Sequence, residues 1–109
     1  MLAASRKGES ICEFARSFDE RSVDTWVVRA VYEQLQEHLG SKYQIPIRAS
    51  DVFGQDLPID SEDLDMDIAS EIAQRTARSM DKMEANPLYG KVKTAADLVH
   101  FFNAQPKAT

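Results

Sequence analysis

The apolar rhythm of "TWVVRAVYEQLQEHLG", residues 25 to 40, constrains the fold more than any other feature of the chain. Trp26, Val27, Ala30, Val31, Gln34 and Leu35 return at helical spacing and so share one stripe of an α-helix. Asp24 stands where an N-terminal cap belongs. Gly40 stands where a left-handed residue closes a helix. Trp26 is expected as a core anchor. A second stripe follows, with Leu64, Ile68, Ile72 and Thr76 four apart and Ala69, Ala73, Met80 and Met83 widening it. This predicts a helix from Ser61 to Met83, with Asp67, Glu71, Gln74 and Arg78 on its opposite face and Asp65 at the rim of the core.

Two weaker signals flank these helices. Ile11, Phe14, Ala15 and Phe18 predict a short amphipathic helix from Ser10, after a tail at residues 1 to 8. In "TAADLVHFFNAQP", Thr94 and Asp97 make a variant of the capping box. Ala95, Leu98, Val99 and Phe102 face inward, and Pro106 follows the end. Residues 41 to 60 keep no period and hold Pro46, Gly54 and Pro58, which reads as a long ordered loop. Tyr43, Ile45, Ile47, Val52, Phe53 and Leu57 are its expected anchors, Phe53 and Leu57 plugging the core. Asn86-Pro87 breaks the helical pattern, and Leu88 and Tyr89 are expected in a brief turn against the core.

No repeat or strand pair interrupts this order. The chain of 109 residues is therefore expected to be all-α. It is a helical bundle with a long loop between its first and second main helices and an extra N-terminal helical segment. Residues 1–21 form the tail and short helix, 22–104 the helical domain, and 105–109 a C-terminal tail.

Charge is distributed unevenly. Between Arg48 and Arg75 the sequence has no Lys, Arg or His, but it has eight acids: Asp51, Asp56, Asp60, Glu62, Asp63, Asp65, Asp67 and Glu71. The remaining ten acids face thirteen bases, so the net charge of −5 is concentrated in that gap. A one-signed field of this kind steers cationic partners and repels phosphate backbones, which argues against nucleic acid as the partner. No run approaches the roughly 18 apolar residues of a membrane span. The opening "MLAASRKGES" has a basic pair with no apolar run after it, unlike a secretory signal. With a single cysteine, Cys12, and no Cys/His cluster, a cytoplasmic protein without metal is the expectation. A monomer is expected, although no sequence feature fixes the oligomeric state.

Several bland readings stand beside these. "DLDMD" at 63 to 67 invites a calcium loop, but from Asp63 the sixth and twelfth positions hold Ile68 and Gln74 instead of Gly and Glu. His38 and His100 are isolated and read as surface or rim residues, and Cys12 as a packed thiol. Met66, Met80 and Met83 fit as core filler, although a Met-lined pocket also accepts an acyl chain. Ser61 reads as an ordinary helix cap, and the acids as a solvated face at a helix start.

The order of elements and the phrase "DLPIDS", followed by an acidic helix and a closing "KVKTAADLVHFF", together resemble an acyl carrier protein over about residues 22 to 104. In that family the phrase Asp-Leu-Gly-x-Asp-Ser-Leu starts the second helix, and its serine is esterified by 4′-phosphopantetheine. Here Asp60 and Ser61 take the Asp-Ser pair and Leu57 the buried leucine, while Pro58 replaces Gly and Glu62 replaces Leu. A second register puts Leu64 on the family's leucine and Asp63 on its serine, leaving no nucleophile. Residues 76 to 91 are longer than the family needs.

The resemblance implies a non-enzymatic carrier of acyl or aminoacyl thioesters in lipid, polyketide or related biosynthesis. Its arm would come from coenzyme A through a phosphopantetheinyl transferase. Asp60, Glu62, Asp63, Asp67 and Glu71 would then dock biosynthetic enzymes with basic patches. The alternative is an unmodified interaction module of the same fold, binding a basic partner through the same acidic helix. An independent enzyme is the weakest reading, since no base, metal set or phosphate loop is found in the sequence.

Overall fold

Asp24 starts the longest helix: its carboxylate accepts from the Trp26 amide at 2.9 Å, as the sequence predicts for an N-cap. The computed structural model describes residues 11–19, 21–40, 46–60 and 64–107. Four α-helices are present among them: α1 (Ile11–Ala15), α2 (Thr25–Leu39), α3 (Ala69–Thr76) and α4 (Ala95–Ala104). A π-helical turn, Leu64–Ile68, leads into α3, and a single 3-10 turn, Met83–Ala85, lies between α3 and α4. No strand occurs among the described residues, only isolated bridges. The all-α expectation is met at this level, and no helix among the described residues is long and apolar enough to cross a membrane.

α2 is central and packs against α1, α3 and α4. Val27, Val31 and Leu35 of α2 meet Ile68 and Ile72, Val99 and Phe102, and the loop residues Ile47, Leu57 and Ile59, all almost wholly buried. Phe14 of α1 closes one edge, its ring 5.1 Å from that of Tyr32. Gly40 ends α2 with φ 79° and ψ 176°, a positive-φ extended conformation that glycine supplies at no steric cost but not the left-handed helical one expected.

The long loop is held by the start of α4. The Ala95 and Ala96 amides donate to the carbonyls of Asp51 (3.0 Å) and Ala49 (2.8 Å), and the Phe53 amide donates to Lys93 at 2.9 Å. Thr94 and Asp97 complete the predicted capping box, at 3.1 and 3.2 Å. Each amide of the first turn, which a helix leaves without an internal partner, is thereby satisfied. Leu57 plugs the core as expected. Phe53 is half-buried and packs at its edge. Tyr43 and Ile45 fall outside the described residues.

Three expectations are corrected. The helix predicted to reach Met83 stops at Thr76, because Ala77 takes left-handed angles (φ 55°, ψ 33°). The Arg78 and Ala77 amides then bond back to Ala73 (3.1 Å) and Gln74 (3.4 Å), a Schellman closure formed without glycine. Arg78, assigned to the solvent face, turns inward: its side chain is 9% exposed and binds Asp24 (3.0 Å) and the carbonyls of Gln105 (2.9 Å) and Asn103 (3.3 Å). Trp26 is 59% exposed instead of a core anchor, and its indole N–H donates to the Arg75 carbonyl at 2.8 Å, capping the end of α3.

Two outcomes follow. An alanine in the left-handed region carries about 1 kcal/mol of strain that glycine lacks, partly offset by glycine's backbone entropy. Ala77→Gly is therefore expected to raise the unfolding free energy by about 0.5–1 kcal/mol, read as a higher urea midpoint at unchanged slope. The bond from the Trp26 amide, then Arg78, holds the Asp24 carboxyl below its ordinary pKa, against the opposing pull of burial. Its ionic contribution is therefore fully present above the unfolded value of about 3.9 and is lost as pH falls through the folded one. Asp24→Asn keeps a cap and removes the charge, so it is expected to cost about 1 kcal/mol near neutrality. That difference should vanish in acid, measured by denaturation at a series of pH values.

Candidate functional site

The stretch carrying the acidic gap begins as a tight turn followed by a short extended segment, residues 57–60. Gly54, at φ 84°, allows the turn. Its amide donates to Leu57 (2.8 Å), the Asp56 amide to Val52 (2.9 Å), and the Val52 amide to the Asp56 carboxylate (2.9 Å). From there side chains alternate, as in any extended segment: Leu57 in, Pro58 out, Ile59 in, Asp60 out. The Asp60 carbonyl accepts from the Leu64 amide at 3.1 Å. Ser61, Glu62 and Asp63 lie outside the described residues, as do the side chains of Cys12, Asp65 and Met66.

This geometry divides the eight acids. Asp51 is 1% exposed and accepts from the Arg48 amide at 2.9 Å, while its own carbonyl caps α4. Asp56 is half-buried and closes the turn. These two carboxylates hold the loop together and do not belong to a docking face. Asp60, Asp67 and Glu71 are exposed. Asp67 and Glu71 are four apart, a spacing at which like charges destabilise a helix by a few tenths of a kcal/mol. The preceding π-helical turn is an uncommon geometry that tends to mark functional segments.

Beside this turn opens an apolar groove of about 520 Å³. Leu64 and Ala69 line it from the π turn and α3, and Leu98, Phe101 and Phe102 from α4. Met80, Met83, Tyr89 and Val92 of the connecting segment complete it. The three α4 residues are all core residues, so the groove leads directly into the core. Leu88 packs on the core in the brief turn expected of it, but Tyr89 is 51% exposed at the groove. Sequence periodicity missed the groove because it carried the helix on to Met83. The break at Ala77 is what makes Met80 and Met83 a wall instead of a helix face. A second cleft, of about 540 Å³, lies between α1, residues Ile47 to Ser50 and the start of α4.

His100 is exposed and lies edge-on to Phe18 at 5.5 Å, and His38 is half-buried. No cluster of three or more metal-ligating side chains occurs among the described residues. Comparisons with protein-family models, curated proteins and solved structures return no match for this chain.

The division of the acids is measurable. Asp51→Ala removes a buried carboxylate and its bond to the half-buried Arg48 amide, and is expected to destabilise the fold by about 1–3 kcal/mol. Asp60→Ala, at an exposed side chain, is expected to stay within about 0.5 kcal/mol of wild type in the same urea titration. Equal effects from both would contradict the assignment.

Proposed function

We propose that this protein is a carrier: Ser61 takes a 4′-phosphopantetheine arm, and the groove lined by Leu64 shelters the acyl group the arm holds. The observation that carries the reading is the placement of Asp60. Leu57 and Ile59 are each 1% exposed, Asp60 points to solvent one residue before Ser61, and the groove opens at Leu64, three residues after it. Those residues fit the group: a firmly held approach, exposed acids on the following turns, and an apolar recess of the size of small-molecule sites.

Chemically little is asked of the chain. A serine hydroxyl is by itself a weak nucleophile, so the partner transferase would supply the base that takes its proton and the metal that stabilises the leaving phosphate. The thiol of the attached arm supplies the thioester linkage. What the chain's own residues do is present the hydroxyl, attract basic partner surfaces through Asp60, Asp67 and Glu71 with Glu62 and Asp63, and keep an apolar group out of water. Charge-led docking gives fast association and ready release, which a shuttle serving several enzymes needs.

A second reading is the unmodified module, which docks a basic partner without an arm. It is favoured by Leu64, which is 7% exposed and takes the inward leucine position of the register that leaves Asp63 where the family has serine. Coenzyme A, magnesium and a broad-specificity phosphopantetheinyl transferase separate the two readings. Intact mass is expected to rise by one arm in wild type and to stay unchanged in Ser61→Ala. An adduct persisting in Ser61→Ala would move the attachment elsewhere, and no adduct across several transferases would favour the module.

A further inference from the structure

Trp26 and Tyr89 are the large apolar side chains left exposed among the described residues, and of the two Trp26 stands on a regular helix. Its indole N–H is bonded to the Arg75 carbonyl, which fixes the ring while more than half of the residue stays in solvent. From Trp26 the exposed side chains of α2 continue with Arg29, Glu33 and Glu37, spaced three, four and four, so they form one outward stripe. Arg75 flanks the stripe from α3, and with Trp26, Arg29, Ala30 and Glu33 it lines a recess of about 240 Å³. Within the chain Arg29 pairs with Glu33 at 3.5 Å and Arg75 pairs with Glu37, all four at the surface. Such exposed pairs are weak and can be exchanged for equivalent ones across an interface.

We propose that this stripe is the interface of a reversible homodimer, in which α2 of two copies packs antiparallel about a twofold axis. The occupant is a second copy because the charges are self-complementary. A twofold axis crossing α2 between Arg29 and Glu33 sets Arg29 beside the partner's Glu33 and Glu33 beside the partner's Arg29, which is what an isologous contact demands. Two arginines balance two glutamates on this face, whereas the chain as a whole carries −5 and the acidic gap would repel a copy of itself. A partner of one strong sign finds no complement on so balanced a face. Trp26 supplies the apolar contact, and a ring already held by a hydrogen bond loses little freedom on binding. The contact is small, so a dissociation constant of about 10–100 μM is expected. The inference is independent of whether Ser61 carries an arm.

The test is sedimentation velocity on the full chain over a concentration series, with far-UV circular dichroism to follow the fold. Wild type is expected to pass from monomer to dimer as concentration rises. Trp26 is the single tryptophan of the chain, so its emission is expected to shift to the blue over the same range. Arg29→Glu and Glu33→Arg each turn two reciprocal attractions into two repulsions, and each is expected to weaken association about tenfold or more with helicity kept. Arg29→Glu/Glu33→Arg reverses both signs together and is expected to restore the dimer. A protein that stays monomeric up to about 1 mM overturns the proposal. So does a dimer that both single variants leave intact, or one that forms without a shift in the Trp26 emission, since either puts the interface elsewhere. Failure of the double variant to recover overturns the reciprocal pairing and the proposal with it.

Discussion

The Arg78 guanidinium determines how the two halves of this chain meet. It joins the second residue after α3 to the N-cap of α2 and to carbonyls at the end of α4. An arginine with 9% exposure and a carboxylate partner is tolerable only because its planar fork finds several acceptors at once. Asn103 and Gln105 extend the same clasp. The Asp24 amide donates to the Asn103 side chain at 2.8 Å, and Gln105 donates to the Ser79 carbonyl at 2.8 Å. Asn86 joins it from the connecting segment, donating to the Phe101 carbonyl at 2.8 Å and to the Gln105 side chain at 2.9 Å. The helices around α2 are short, at 5, 8 and 10 residues, and apolar burial alone fixes their angles to it poorly. A polar knot with directional bonds fixes them better.

Because the clasp requires Arg78 to turn inward, α3 cannot continue. The left-handed Ala77 is the cost of that turn, and the irregular course of residues 77 to 94 is its consequence. The groove exists for the same reason. A helix running on to Met83 would have presented Met80 and Met83 to the core as packing, whereas a broken chain leaves them at the edge of an open recess. The recess and the clasp are two results of one termination event.

How much of this was legible in the sequence depends on what each residue answers to. Asp24, Thr94 with Asp97, and the stripes Val27–Val31–Leu35 and Leu64–Ile68–Ile72 answer to local periodicity and capping, and they lie where the sequence put them. Arg78 and Trp26 answer to partners far away in the chain, Asp24 and Arg75, and no window of neighbouring residues contains that information. The end of α3 was illegible because an alanine carries none of the punctuation that glycine would. At the candidate site, Asp51 and Asp56 looked like members of an acidic field. Their backbone bonds become visible only once the loop has folded onto α4.

Sorting those acids sharpens what a docking surface on this protein has to be. A carboxylate that already accepts a half-buried backbone amide cannot turn to meet a partner without giving up a bond that shapes its loop, so Asp51 and Asp56 contribute field but no docking contacts. What remains among the described residues is Asp60, Asp67 and Glu71, with Asp60 next to the buried Ile59 and Glu71 on α3. Firm ends matter because a partner that binds through a few exposed charges gains about 1 kcal/mol or less from each. Such small increments add up only where the backbone has already fixed their spacing, so that binding does not also have to order the chain. In the proposed docking, orientation would come from the fold and attraction from the charge.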